Sequence, residues 1–147
     1  MASLLRISDA ASLGLHAMVL LADRTDGPVT VHDAATVFDV SEAHLSKVMQ
    51  RLVRAGLVRS IRGPKGGFLL ARPPGTITLL DVYEAIEGPL PEQDCLLATA
   101  VCGGAKCILG DLLKRVHTEI GDYLASKTLS DVTPAYECLH SGKATKP

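Results

Sequence analysis

The sequence predicts a mainly α fold with a small β-hairpin wing, a winged helix-turn-helix followed by a long C-terminal helix. Three observations predict it. Apolar residues recur at helical spacing in short segments separated by turn signals. A glycine-rich tight turn, Gly63-Pro64-Lys65-Gly66-Gly67, separates two short apolar runs. The core is aliphatic, with 47% hydrophobic residues, only 3% aromatic and no Trp, which suits packed helices better than a sandwich.

Ser8 or Asp9 can cap a first helix that runs to about Ala22, with Leu13, Ala17, Leu20 and Leu21 inward. Asp23 to Pro28 reads as a polar turn. Thr30 to Val37 reads as a second helix, with Val31, Ala34, Ala35 and Phe38 on its inner side. Ser41 is a good N-cap for a third helix from about Glu42 to Ala55. Its apolar positions are Leu45, Val48, Met49 and Leu52, and its outer face carries His44, Lys47, Gln50, Arg51 and Arg54. Gly56 ends it.

Strands are expected over Leu57 to Ile61 and Phe68 to Ala71, and Pro73-Pro74-Gly75 breaks the chain. Thr78 opens a fourth helix, with Leu79, Leu80, Val82 and Ile86 inward, that stops at Gly88-Pro89. Residues 89–106 read as irregular. A long helix is expected from about Lys106 to Lys127, and Ser141 to Pro147 as a polar tail. The organisation that follows is 1–88 for the winged helix-turn-helix, 89–106 for a cysteine loop, 107–140 for a dimerisation helix and C-terminal segment, and 141–147 for the tail.

Charge is unevenly placed. Between Ser41 and Arg72 stand Lys47, Arg51, Arg54, Arg59, Arg62, Lys65 and Arg72 against the single acid Glu42, so the segment carries +6. The whole chain carries −1, which leaves −7 on the remainder. A cationic helix and hairpin of this kind suit a nucleic-acid backbone, whose counterions are released when its phosphates are neutralised. The third helix must be apolar on one side to stay docked and polar on the other to enter a major groove. Glycines let the hairpin tip turn tightly and approach a phosphate or minor groove, with Arg62 and Lys65 flanking it. The tip lacks the Gly-Lys-Ser/Thr ending of a nucleotide-phosphate loop, and no helix follows it. The scarcity of aromatics argues against single-strand binding by stacking.

No run approaches the length of a membrane span; Leu13 to Ala22 is interrupted by His16 and closed by Asp23-Arg24, with no small-residue cleavage site after it. A cytoplasmic location is expected. Four Cys in such a chain point to ligands or reactive thiols before disulfides. Cys95, Cys102 and Cys107 have the spacing C-x6-C-x4-C in a loop that contains Gly103-Gly104. Three thiols on one loop can converge on one centre, and soft thiolates select iron–sulfur clusters, zinc or Cu(I). Cys107, read as lying close to a helix N-terminus and next to Lys106, would have its thiolate favoured by both. Three buried structural cysteines are the plainer alternative. Cys138 lies apart from the three and reads as incidental or as a ligand swapped across a dimer. Leu109, Leu113, Val116, Ile120 and Tyr123 step by four, three, four and three along the last helix, a seam two antiparallel helices could share. Packing on the chain's own core would give the same steps.

The stretch His44 to Gly88, and above all RGPKGGF with LARP and ITLLDVYEAIEG after it, resembles the Rrf-type winged-helix regulators, whose members include IscR-, NsrR- and CymR-like proteins. The similarity extends from LGLHAMVLLA to YLASKTLSDV. It implies a homodimeric transcriptional regulator, a repressor in the first instance, that binds a palindromic double-stranded operator. Base-reading positions of the IscR-type complex fall on Ala43, His44 and Ser46, and the arginine that enters the minor groove falls on Arg62. Ser46 stands where some members carry a discriminating glutamate. With the surrounding positions, the expected DNA-contact set is Ser41, Ala43, His44, Ser46, Lys47, Arg51, Arg62, Lys65 and Gly66.

Iron–sulfur members carry three Cys in the same loop, commonly spaced five and five, so the resemblance implies a 2Fe-2S or 4Fe-4S cluster on Cys95, Cys102 and Cys107. The IscR-type ligand His is Gly110 here. NsrR-type members take a first-helix Asp from the other subunit; Ser12 holds that position and Asp9 lies one turn earlier. His16 matches a ligand position of a two-iron relative, and it also reads as a satisfied core or interface histidine. Two other functions compete: a cluster-free thiol-switch or partner-binding regulator of the same fold, and an electron-transfer metalloprotein, on which the basic segment would be wasted. No nucleophile–base motif, paired acids or cofactor loop suggests an enzyme.

Overall fold

The first four helices are fixed at their starts by hydroxyl caps. The computed structural model describes residues 7–91, 95–97, 99–102, 107–109 and 111–136. Helix α1 spans Asp9–Asp23, and the Ser8 hydroxyl accepts the Ala11 N–H at 3.1 Å. Helix α2 spans Val31–Phe38 with Thr30 as cap, and α3 spans Glu42–Arg54 with Ser41 as cap. Between α2 and α3, Asp39 takes a left-handed conformation (φ 53°), which a short polar side chain tolerates. At the end of α3 the N–H of Gly56 bonds Val53 and that of Leu57 bonds Leu52, a Schellman closure that needs the positive φ of Gly56.

The hairpin pairs β1 (Val58–Ile61) with β2 (Gly67–Leu70), antiparallel, with Val58 opposite Leu70 and Ile61 opposite Gly67. Val29 adds an isolated bridge: it exchanges both backbone hydrogen bonds with Phe68, at 3.0 and 2.8 Å. The wing is thereby anchored to the segment before α2. A buried Val29 in a stretch rich in turn residues gave no strand period to read.

Helix α4 spans Leu79–Glu87 and starts with a capping box in which Thr78 and Asp81 satisfy each other's backbone N–H. The next helix, α5, spans Leu112–Ser126. It is shorter than the Lys106 to Lys127 expected, and Leu109 lies in a turn ahead of it. Gly110 is a poor helix former, which disfavours helix before Leu112; Asp111 at the start makes no side-chain cap bond. A short helix α6 (Leu129–Val132), unforeseen in the sequence, then turns the chain back. Leu129 is fully buried, and its N–H bonds Ile77 at 3.0 Å, while Leu79 bonds Lys127 at 2.9 Å. The C-terminal segment is therefore tied into the same core as the winged helix.

That core gathers Leu13, Met18 and Leu20 of α1, Leu45, Val48 and Leu52 of α3, Ile77, Val82 of α4 and Leu129. All the inward residues expected on α1 and α3 are buried; Val31, Phe38 and Leu79 are half-buried at its edge. Gly14 admits the close approach of α4, since a Cβ there would stand 3.1 Å from Ile86 Cγ1. Among the described residues, no helix is long and apolar enough to cross a membrane.

Gly67 has φ of +148°, and a Cβ there would lie 2.6 Å from the Val29 carbonyl oxygen. Gly67→Ala is expected to lower stability by about 1–3 kcal/mol and to loosen the wing. Urea denaturation checks the first, and faster amide exchange at Phe68 checks the second.

Candidate nucleic-acid interface and thiol loop

Helix α3 presents its polar side outward because Leu45, Val48, Met49 and Leu52 pin the opposite side; each is at most 3% exposed. Ala43, His44 and Lys47 are exposed and Ser46 is partly so. The Ser41 hydroxyl, expected to face DNA, accepts the His44 N–H at 3.2 Å, so its first task is to cap α3. On the wing, Arg59, Arg62 and Lys65 are exposed. Gly66 spends its N–H on the Gly63 carbonyl at 3.0 Å, which closes the turn and removes that donor from any phosphate.

Two cations of the basic segment turn toward the protein instead. Arg72 pairs with Asp81 of α4 at 3.5 Å. Arg51 Nη1 donates to the Ile86 carbonyl at 3.2 Å, a partner 35 residues away in sequence. Both remain exposed, as are Lys47, Arg54, Arg59, Arg62 and Lys65. The acid of the segment is also engaged: Glu42 meets His32 Nδ1 at 2.8 Å, joining the first turn of α2 to the first turn of α3. The hydrogen bond to Glu42, then its charge, holds the His32 pKa above the ordinary 6.5. Nothing in the sequence marks this pair, because its ten-residue separation matches no helical period; only the turn between α2 and α3 brings the two together.

Asp9, Ser12 and His16, three and four residues apart, share one side of α1. They line a groove of about 380 Å³, closed from across by Phe38, Val40 and His44. The three candidate ligands are thus brought together, next to His44, a position expected to read bases. His16 is exposed and not a core histidine; its Nδ1 donates to the Ser12 carbonyl at 2.7 Å, which leaves Nε2 as the basic nitrogen of the neutral ring. Its ring also meets Phe38 edge-on at 6.3 Å.

Cys95 and Cys107 are half-buried, Cys102 is exposed, and all three are free thiols. The Leu97 N–H points at the Cys95 sulfur at 3.4 Å, the kind of donor that tunes a thiolate or a cluster sulfur. Among the described residues, no three His, Cys, Asp or Glu side chains converge as a metal site, so the convergence expected of the three thiols is not met within this chain. The donor chemistry suits an iron–sulfur centre; the arrangement does not yet assemble one. The helix-dipole effect expected at Cys107 is absent too, because α5 begins at Leu112. Cys138 and Gly110 lie outside the described residues.

Of the expected seam, Leu113 is buried within its own chain, Val116 and Ile120 are half-buried, and Tyr123 is 55% exposed. One flank of α5 thus packs inward, where Gly121 meets Leu90, as the plainer reading allows. The other flank leaves Leu112 and Tyr123 open.

The sequence matches the Rrf2 family profile, described as "Iron-dependent Transcriptional regulator", over residues 7–135. It is 31% identical to the HTH-type transcriptional regulator IscR of Xenorhabdus nematophila, across 78% of this chain and 70% of that protein. Its fold is similar to that of CymR, the global cysteine regulator of B. subtilis (TM-score 0.77, 31% identity, 89% of this chain and 98% of that one). It is likewise similar to IscR of T. potens (TM-score 0.72, 29% identity, 97% and 94%).

The raised His32 pKa gives a signed expectation. Its contribution to stability is complete below pH 6.5 and disappears as pH rises through the raised value. An NMR titration of the His32 ring is expected to give a pKa above 6.5 that returns to the ordinary value in Glu42→Gln.

Proposed function

This chain belongs to the Rrf2 family of transcriptional regulators, and we propose that it is a repressor that grips a palindromic operator as a homodimer, under the control of an iron–sulfur cluster on Cys95, Cys102 and Cys107. The observation that carries the DNA reading is the set of six exposed cations on α3 and the wing, on a chain whose net charge is −1. Ala43, His44 and Ser46 meet base edges in the major groove. Lys47 and Arg54 meet phosphates and set the register. Arg62 enters the minor groove beside the tip, where Lys65 adds a backbone contact. Such a protein acts where the DNA is, in the cytoplasm.

Dimerisation is supported by the apolar surface left open on and near α5: Ile108 (93% exposed), Leu112 and Tyr123, with Val116 and Ile120 half-covered beside them. The cluster reading is supported by the three free thiols between α4 and α5 and by the family's iron dependence. The groove on α1 supplies a fourth donor, Asp9, Ser12 or His16, to the loop of a second copy. When bound, a cluster supplies a charge that responds to oxidants, nitric oxide and iron status. The likeness to CymR favours a second reading, in which the same thiols act without a metal as an oxidation switch.

Anaerobic purification separates the two. The cluster reading predicts brown protein with iron and sulfide, bleached by Ala at each of Cys95, Cys102 and Cys107; full colour in all three variants would overturn it. Colourless protein whose DNA shift changes on thiol oxidation supports the switch. Arg62→Ala is expected to cost about 1–3 kcal/mol of operator affinity with the dimer intact. Unchanged binding in a gel-shift titration would remove the wing from the interface.

A further inference from the structure

We infer that Arg51 is a positioning residue that transmits the state of the thiol loop to the recognition helix, and not a phosphate contact. The inference deepens the regulator reading and rests on it. Arg51 sits in the last turn of α3, and its Nη1 donates to the Ile86 carbonyl at 3.2 Å. Ile86 lies in the last turn of α4, where backbone carbonyls have no partner within the helix. A guanidinium there satisfies one such carbonyl and meets the negative end of the helix dipole.

The same end of α4 is held from two further sides. The Ile86 side chain is buried against Gly14 of α1, and Val48 of α3 lies 3.5 Å from a Cβ placed at Gly14. Ser8, the cap of α1, donates its hydroxyl to Glu87. Three helices thus meet at Ile86 and Glu87, one residue before Gly88, where the chain leaves toward Cys95. Along the chain this is the last helix end of the winged half before Cys95, with Leu90, which packs against the core and Gly121 of α5, between them. Arg51 is the polar link from it to α3, and α3 carries the base-reading residues. A small rotation at this bond moves His44 and Ser46 against bases whose spacing is fixed.

Arg51→Met keeps the aliphatic stem and removes every donor; Arg51→Lys keeps one charged donor. Both are titrated, beside the wild type, with a mixed-sequence DNA duplex over a range of salt. Titrations use reduced iron-free protein, and protein either reconstituted with iron and sulfide or treated with a thiol oxidant. For a positioning residue, the slope of log affinity against log salt is unchanged in Arg51→Met. The affinity ratio between loop states, about 5–150-fold for ordinary coupling, falls to about one, and Arg51→Lys recovers part of it. A slope smaller by about 0.9 with the ratio intact would make Arg51 a phosphate contact and overturn the inference. A ratio unchanged in Arg51→Met, or in Arg51→Gln should Arg51→Met fail to fold, overturns it as well. Wild-type protein that binds no duplex at any salt ends the regulator reading and this inference together, a result seen before any variant is made.

Discussion

One helix must satisfy two solvents at once. The 13 residues of α3 carry four apolar side chains into the core and a row of polar ones out of it, and every functional feature of the winged half follows from that division. Burial of Leu45, Val48, Met49 and Leu52 fixes the rotation of the helix about its axis. Rotation in turn decides that Lys47 is exposed and that His44 stands at the rim of the α1 groove. At about 0.8 kcal/mol per buried methylene, a rotated α3 would forfeit several kilocalories per mole of core contact. The polar face is therefore positioned by hydrophobic packing and merely selected by charge. The wing obeys the same logic: Phe68 pairs with Val29, and this bridge, not the charged tip, sets where Arg62 and Lys65 stand.

Charge in this chain is sorted by what each cation touches. The basic segment looks uniform along the sequence, yet Arg51 and Arg72 hold α4 at its two ends, one on the Ile86 carbonyl and one on Asp81. All seven cations of the segment are exposed, and these two also bond to α4. The same α4 leads out of the core toward the thiols, and the groove that holds Asp9, Ser12 and His16 is walled by His44. On the proposed reading, two routes join the thiols to the recognition helix: one through the end of α4, the other across the α1 groove.

The winged helix was legible because each of its devices is local. Ser8, Thr30, Ser41 and Thr78 cap the helices they precede; Gly56 closes α3; the apolar stripes of α1 and α3 are buried as their spacing says. What escaped reading was not local. Val29 joins the wing through a partner 39 positions along the chain, His32 finds Glu42 only through the turn between helices, and Arg51 finds Ile86 through packing of α3 on α4. On the last helix, a step of four and three describes a stripe but not which neighbour covers it, and Leu113 is covered by its own chain. The start of α5 was set too early because apolar spacing through Leu109 outweighed the signal of Gly110-Asp111.

The central claim is that a duplex lies along α3 and the wing. Amide hydrogen exchange measured with and without a mixed-sequence DNA duplex at low salt tests it most directly. The account predicts new protection in residues 42–54 and 59–67, with α6 and the outer side of α5 unchanged. Protection confined to α5 or α6, with α3 and the wing exchanging as in the free protein, would contradict it.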